Sequence, residues 1–311
     1  MSRVLLLHGG LIALLAALHF VLPPYHHGNL ARIMVLSVYA MGYNVMFGYT
    51  GLLSLGHALF FAAGMYGMGL AVSLGGFGGA IALGAGLAAA FSVAAITGLL
   101  ALRTAGVQLM IVTLMFAQAG YLTVLYFGEV TRGDEGFVVD QTARMIAGLD
   151  LRNEAVRYWA ALLAFGLTLG GTLGLVLSPF GHVLIAIREN EERARMLGYD
   201  VWRYKFVAFV ISGTISGAAG ALYGLLFGYV GASFAAVPYS IFPLLWVLLG
   251  GAGTVLGPFV GTLFMFYLID ISSGLTSAYL IVVGIALVLL ILFARAGLMG
   301  ELRRRVMPWL P

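Results

Sequence analysis

The chain has 311 residues, of which 62% are apolar, only 9% are charged and none is cysteine, and its formal net charge is +4. A soluble domain carries roughly 25% charged residues, so this composition excludes a soluble globular protein and predicts a chain that lies mostly in lipid. The lack of cysteine excludes disulfides and Cys-ligated metals. The basic residues lie at the ends of apolar segments, which is typical of membrane proteins and not of nucleic-acid-binding ones.

Apolar runs predict eight to ten membrane helices, because a bilayer core of ~30 Å needs about 20 apolar residues per helix. They cover residues 4–22, 32–50, 54–75, 79–102, 107–127, 157–177 and 205–230, then a glycine-interrupted region over 238–271 and a last run over 277–294. The first run resembles a signal peptide, but it continues into prolines without a small-residue cleavage site, so we expect a retained helix. The sequence therefore predicts an all-α integral membrane protein. We expect a polytopic helical bundle with Gly-broken helices that forms one transmembrane domain over residues 1–311.

Charged residues concentrate in three stretches that predict the orientation. Residues 128–157 hold six acidic and four basic residues, and residues 178–205 hold five basic and four acidic ones. The C-terminal tail has arginines at 295, 303, 304 and 305 against Glu301 alone. Since loops rich in Lys and Arg stay in the cytoplasm, we expect 178–205 and both termini on the cytoplasmic side and 128–157 on the periplasmic side.

Glycine interrupts two apolar regions, GYTGLLSLGHALFF (48–61) and GGAGTVLGPFVGTLF (250–264). Non-helical backbone at membrane depth is tolerated only where it is buried in protein or lines a cavity, and broken helices in both halves of a transporter indicate the pathway. Close helix packing is the alternative use of these glycines. The residues that we predict to lie along a translocation pathway are Asn44, Gly51, Ser54, His57, Gln108, Gln118, Gly251 and Gly253.

The polar members of this set have two interpretations each. His57 either relays protons or contacts substrate, or it is a structural hydrogen-bonding residue. Asn44, Gln108 and Gln118 either line a polar path or hold helices together through hydrogen bonds. Asp270, the one acid in the last third of the membrane sequence, is expected to be solvated near a helix end.

The segment SPFGHVLIAIRENEERARMLGYDVWRYK (178–205) predicts a short helix over 186–198 between two membrane spans. Glu189 with Arg193 and Glu191 with Arg195 form i, i+4 pairs with the acid first, the favourable order. Gly198 supplies a helix stop, after an apolar tip at positions 196 and 197. The segment is either a docking surface for a partner or an ordinary solvated loop helix.

Three motifs in order resemble the branched-chain amino acid permease family of ABC importers, in particular its LivM-like members. They are NVMFGYTGLLSLGHALFFAAGMY (44–66), AIRENEERARMLGYDVWRYKFVAFVISGTISGAAGALYG (186–224) and LLGGAGTVLGPFVGTLF (248–264). The resemblance extends over about residues 33–300. TRGDEGF (131–137) departs from the Gly-Gly-rich stretch that the family commonly has there, and this departure bears on the substrate and on the fit to a binding protein.

The resemblance implies a permease subunit in the bacterial inner membrane, paired with a sister permease chain. It also implies two cytoplasmic ABC ATPase subunits and a periplasmic substrate-binding protein as partners. The residues that it places at the ATPase contact are Arg188, Glu189, Asn190, Glu191, Arg193, Met196, Leu197 and Gly198. Branched-chain amino acids are the substrates that the family implies, and urea or amides and aromatic carboxylates stay open.

The source of energy is expected to lie in another chain. The single lysine, Lys205, follows Tyr204, so the GxxxxGK[ST] phosphate-binding loop is impossible. We therefore expect no enzymatic activity and no cofactor in this chain, with ATP and Mg²⁺ used by the partner ATPase. The competing hypotheses are an ion-coupled secondary transporter, which needs intramembrane acids or histidines, and a membrane enzyme, for which loop 128–157 offers the only polar cluster.

Overall fold

The computed structural model describes residues 2–146, 148–294, 296–307, 309 and 311, so Arg295 of the tail lies outside the described residues. The helices of this part of the chain are α1 Ser2–Leu18, α2 Pro24–Asn44, α3 His57–Ser73, α4 Gly79–Ala101, α5 Val107–Tyr126, α6 Gly128–Thr131, α7 Glu154–Leu177, α8 Pro179–Glu189, α9 Glu191–Met196, α10 Val201–Phe227, α11 Val237–Gly250, α12 Gly257–Leu275, α13 Tyr279–Phe293 and α14 Gly297–Arg305. A π-helical turn, Val45–Tyr49, continues α2, and 3₁₀ turns cover Thr142–Arg144 and Ala232–Ala235. The two-residue strands are β1 Phe137–Val138, β2 Met145–Ile146, β3 Leu149–Asp150 and β4 Tyr229–Val230.

Ten of these helices coincide with the apolar runs of the sequence. Six are long and apolar enough to cross a membrane, namely α2 with its π turn, α4, α5, α7, α10 and α12. Helices α1, α3 and α11 are shorter apolar helices, and α13 has 15 residues of almost continuous apolar sequence. The predicted polytopic helical membrane protein, with Gly-broken helices, is confirmed.

Four predicted spans begin three or more residues from the predicted start, among them α7 at Glu154 (predicted 157) and α10 at Val201 (predicted 205). Helix α2 starts at Pro24 and not at residue 32, because a proline in the first helical turn has no amide hydrogen bond to lose there. Helix α3 starts at His57 and not at residue 54, because the glycine break leaves residues 51–56 without helical structure.

Helix α10 is the centre of the bundle and packs against α2, α3 and α4. Its contact with α3 is made through glycines. A β-carbon on Gly64 would lie 1.9 Å from the carbonyl oxygen of Gly217, and one on Gly220 would lie 1.9 Å from the carbonyl oxygen of Phe61. The two backbones therefore touch, which is how membrane helices gain packing energy without a hydrophobic driving force.

Loop 128–157 is held to the end of α10 by backbone pairing and by an arginine. Strand β1 pairs antiparallel with β4, which follows α10, and β2 with β3 forms a hairpin. The Arg144 guanidinium donates from Nε to the carbonyl of Leu225 (3.0 Å) and from Nη2 to that of Leu226 (2.6 Å). These carbonyls belong to the last turn of α10, where intrahelical partners are missing.

Candidate functional site

The two glycine breaks, which lie 200 residues apart in sequence, meet in the structure. The Asn44 side chain joins them, since its Oδ1 accepts from the Gly253 amide at 3.0 Å and its Nδ2 donates to the Thr254 carbonyl at 2.9 Å. Asn44 is almost fully buried, with 2% of its surface exposed. The side chain satisfies two backbone groups that the second break leaves without helical partners, which is the requirement for irregular backbone at membrane depth.

The approach between the breaks is too close for a side chain at Gly48. A β-carbon there would lie 1.9 Å from Asn44 Oδ1 and 2.5 Å from the Gly253 amide nitrogen. Gly253 has a φ of +73°, a left-handed conformation that favours glycine. Glycine at these positions is thus required by both the backbone conformation and the contact.

The second break is closed on its other side by α14. Gly251 is buried, and a β-carbon there would lie 2.8 Å from the Gly300 amide nitrogen. The Thr254 hydroxyl donates to the Gly251 carbonyl at 2.7 Å and accepts from the Gly257 amide at 3.2 Å, which links the turn to the start of α12. The turn is therefore a defined structure, held by its own hydrogen bonds and by α14.

The first break is held to three neighbouring helices. Ser54 is fully buried, and its backbone carbonyl accepts from the Tyr43 hydroxyl at 3.1 Å. The Leu55 amide donates to the Thr113 hydroxyl of α5 at 3.2 Å, and the Ala58 amide donates to the Ser240 hydroxyl of α11 at 2.9 Å. Motion of the break would therefore act directly on α2, α5 and α11.

His57, the first residue of α3, is fully buried and hydrogen-bonded to α10. Its Nε2 lies 2.9 Å from the Ser212 hydroxyl, and that hydroxyl donates to the Gly42 carbonyl at 2.6 Å. Because the serine proton is used for Gly42, Nε2 must carry the donor proton. Nδ1 is buried without a hydrogen-bond partner among the described residues. The contacts fit a structural bridge between α3, α10 and α2 and include no acidic residue.

The predicted pathway residues divide into two groups. Asn44, Gly51, Ser54, His57, Gly251 and Gly253 all belong to the two breaks or to their immediate supports. The other two, Gln108 and Gln118, lie on α5, where Gln108 is exposed, Gln118 is half-buried and neither makes a side-chain hydrogen bond within the part of the chain that the structure covers. Gln108 follows Val107, which shares a cleft with Gly51, whereas Gln118 lies farther along the helix. Their place on a pathway stays a prediction.

The predicted single helix over 186–198 is wrong in one respect, because the structure has two helices there. Asn190 takes an extended conformation (φ −159°, ψ 101°), ends α8 and caps α9, its side chain accepting from the Arg193 amide. Asparagine is a favoured N-cap, and two glutamates follow it in the first turn of α9. The bend also removes the predicted Glu189–Arg193 pair, which is absent from the ion pairs of the described residues, while Glu191–Arg195 forms at 3.0 Å.

The end of α9 exposes the predicted apolar tip. Met196 is 83% exposed and Leu197 71% exposed, and Gly198 follows with a φ of +89°. Arg193 is also exposed and has no ion-pair partner in the described part of the chain. Two large apolar side chains and a basic one thus project from this loop without a partner.

Beneath this tip, α8 and α9 form one unit with the start of α10. Val183, Ile187, Ala194 and Val201 are buried together in a small apolar core. Glu191 pairs with Lys205 of α10 at 2.5 Å, and the lysine side chain is only 14% exposed. Glu191, which the sequence assigned to the ATPase contact, therefore also connects α9 to α10.

Arg188 connects the same unit to both glycine breaks. Its Nη1 donates to the Gly48 carbonyl, and a β-carbon on Gly253 would lie 2.6 Å from that nitrogen. A β-carbon on Gly51, whose φ is +76°, would lie 2.7 Å from Arg188 Cγ. The arginine thus lies against the first break and reaches the second. The family resemblance placed Arg188 at the ATPase contact. It did not indicate the contact of Arg188 with the glycine breaks, for which the local sequence carries no signal.

A polar cleft of about 430 Å³ opens beside Arg188. It lies between the first break, the turn after α4 and the α8–α9 unit, and its charged lining residues are Arg103, Arg188, Glu189, Glu191, Arg195 and Lys205. Within the described residues, no group of three or more His, Asp or Glu side chains is placed to hold a metal ion. The described residues thus connect the α8–α9 loop to the two breaks in the membrane helices.

Comparison with known proteins finds transport permeases. A family model described as "Branched-chain amino acid transport system / permease component" matches residues 27–294. The chain is 28% identical over 295 residues to the high-affinity branched-chain amino acid transport system permease protein LivM of Escherichia coli, covering 87% of this chain and 69% of that protein. It is 38% identical over 90 residues to the probable branched-chain amino acid transport permease protein LivM of Methanocaldococcus jannaschii, covering 29% and 26% of the two chains.

A shorter match joins the chain to a permease of another substrate class. Over 61 residues it is 44% identical to the L-arabinose transport system permease protein AraH of Escherichia coli, covering 20% of this chain and 17% of that protein. No solved structure matches the chain.

Proposed function

Because the chain belongs to the family of branched-chain amino acid transport permeases, we propose that it forms half of the translocation pathway of an ATP-driven importer in the bacterial inner membrane. The proposed substrates are branched-chain or related amino acids, in keeping with the names of its LivM relatives. The alternatives are amides such as urea, or aromatic carboxylates. The proposed partners are a sister permease, two ABC ATPase subunits and a substrate-binding protein.

The observation that carries this proposal is the position of Arg188. It lies on the segment whose exposed tip, Met196 and Leu197, is unpartnered, and its guanidinium reaches the backbone of the first break. We propose that the ATPase docks on this tip. Closure of the ATPases then displaces the α8–α9 unit, which moves α10 through Glu191 and Lys205 and the breaks through Arg188. A rigid unit between two sites, with a bistable membrane domain, is a recognised form of coupling.

The proposed orientation follows from charge. Segment 178–205 and the tail face the cytoplasm, where the ATPase is, and loop 128–157 faces the periplasm, where a binding protein delivers substrate. The pairing of β1 with β4 fixes this loop to the end of α10, so the same helix joins the two predicted docking surfaces.

Co-purification of the ATPase with this permease tests the docking role. Arg193→Glu combined with Leu197→Asp reverses a charge and removes apolar contact at the tip, so we expect the ATPase to be lost. The matched control is Arg132→Glu with Val138→Asp, which makes the same changes at exposed positions of loop 128–157. ATPase retained at wild-type level by the tip variant, with both variants equally well folded, contradicts the proposal.

The substrate is tested separately from the docking. Uptake of leucine, isoleucine and valine by the reconstituted importer, in competition with urea and benzoate, distinguishes the amino acids from the two alternatives. We expect competition among the amino acids alone. Inhibition by urea or benzoate at similar concentrations, without inhibition by valine, contradicts the proposed substrate class.

A further inference from the structure

An apolar groove of about 640 Å³ runs along the surface of the bundle between α7 and α10, closed at one end by the β2–β3 hairpin. Its lining residues from α7 extend from Val156 to Thr168, and those from α10 extend from Ala218 to Leu226. At 1.5 Å per residue, the α7 lining is about 18 Å long. That length is close to the ~15 Å of hydrocarbon in one leaflet of a bilayer.

The hairpin end of the groove is basic. Arg144 bonds the carbonyls of the groove residues Leu225 and Leu226 and leaves Nη1 without a hydrogen-bond partner among the described residues. Arg157 follows the groove residue Val156, and its guanidinium carbon lies 5.6 Å from the centre of the Phe227 ring. Arg32 lies over the same ring at 5.3 Å.

Acidic residues do not balance this charge. Glu154 is 3.6 Å from Arg157 Nη2, a loose contact, and Asp150 is engaged by Arg152 at 2.8 Å. Arg157 Nε is buried with no hydrogen-bond partner in the described part of the chain. Burial, and then the charge of Arg157, lowers the pKa of Arg144, while the Asp150 carboxylate opposes this shift. Arg32, Arg144, Arg152 and Arg157 thus stand against Glu154 and Asp150 at this end of the groove.

Because the apolar groove ends beside these arginines, we propose that it holds the acyl chain of an anionic phospholipid. The phosphate of this lipid is bound by Arg144 and Arg157. Arginine suits this task, because its planar donors pair with phosphate oxygens. Trp159, in the groove wall one turn below the mouth, is 42% exposed, as expected of an aromatic residue at the level of the headgroups. With the proposed orientation, the lipid belongs to the periplasmic leaflet.

The dimensions favour a lipid over a helix of a partner protein. A groove volume of about 640 Å³ over a length of about 18 Å corresponds to a mean cross-sectional area of roughly 36 Å². An α-helix with side chains is about 10 Å across and needs roughly 80 Å². A helix would also leave the arginines beside the hairpin end of the groove without an anion.

Native mass spectrometry of the assembled permease, after exchange into neutral detergent and addition of phosphatidylglycerol, tests the proposal. We expect one tightly retained phosphatidylglycerol per copy of this chain, and weaker retention of phosphatidylcholine. Arg144→Gln and Arg157→Gln should each weaken retention about fivefold, the usual contribution of one basic residue near an anionic surface. Arg132→Gln, at an exposed arginine of loop 128–157 outside the groove lining, is the matched control and should change little.

A second pair of variants tests the groove without touching the arginines. Ala164→Phe fills the groove and should abolish retention, whereas Ala88→Phe, on the exposed face of α4, should not. A photo-crosslinking residue at Leu163, in membranes, should give an adduct with the mass of a phospholipid. Retention equal in all variants, or adducts to a polypeptide alone, overturns the proposal. The result is independent of the proposed transport function, because no uptake is measured.

Discussion

Removal of the Asn44 side chain should separate the two glycine breaks. Asn44→Ala leaves the Gly253 amide and the Thr254 carbonyl buried and unpaired. An unpaired buried group costs about 1–3 kcal/mol in soluble proteins, while hydrogen bonds between membrane helices average about 0.6 kcal/mol. For two groups at the well-packed centre of the bundle, we expect a loss of about 2–4 kcal/mol in the free energy of unfolding.

Unfolding of the permease in mixed micelles, titrated with denaturant, measures this loss. Thr262→Val is the matched control, because Thr262 is also fully buried but its hydroxyl bonds only to Pro258 within the same helix. We expect Thr262→Val to cost less than about 1 kcal/mol, since no contact between segments is lost. Equal costs for the two variants, within about 0.5 kcal/mol, would refute the reasoning that Asn44 joins the breaks.

Three further predictions concern the α8–α9 unit and the α3–α10 contact. Arg188→Gln should preserve ATPase co-purification but reduce uptake at least tenfold, because the side-chain contact with the first break is lost. Unchanged uptake in proteoliposomes contradicts this prediction. Glu191→Gln should uncouple ATP hydrolysis from uptake, because it releases Lys205. Lys205→Met breaks the same ion pair, so the ratio of ATP hydrolysed to substrate moved should be the same in the two variants. Different ratios in the two variants contradict a shared role. Gly64→Ala should lower folded yield strongly, whereas Gly170→Ala, with open space at its β-carbon, should leave the yield unchanged; equal yields contradict backbone contact between α3 and α10.

The membrane helices were predictable from the sequence, and their exact starts were less so. Long apolar runs identify spans because lipid imposes a length of about 20 residues, which local sequence reports directly. Hydropathy places the start of α2 too late, because residues 25–29 (YHHGN) are polar or glycine although the helix begins at the preceding proline. The division between α8 and α9 did have a signal, since Asn190 followed by two glutamates is a typical helix start.

The contacts that make the candidate site were less accessible to sequence reasoning. Glycine runs predicted both breaks, because glycine frees the backbone from helical geometry. Nothing local indicates that Asn44 reaches Gly253, 209 residues away, or that the Arg188 side chain enters the space beside Gly51. Such contacts depend on how helices distant in sequence pack together. From the sequence alone, the same side chains fit a role in the pathway and a role in docking equally well.

Uptake into proteoliposomes is the most direct test of the proposal that this chain takes its driving force from an ATP-hydrolysing partner. The permease, its sister chain, the ATPases and the binding protein are reconstituted with labelled leucine outside and ATP enclosed. We expect accumulation with ATP, none with a non-hydrolysable analogue, and none from a proton or sodium gradient alone. Uphill uptake by the permease chains without ATPase, driven by an ion gradient, would contradict the proposal.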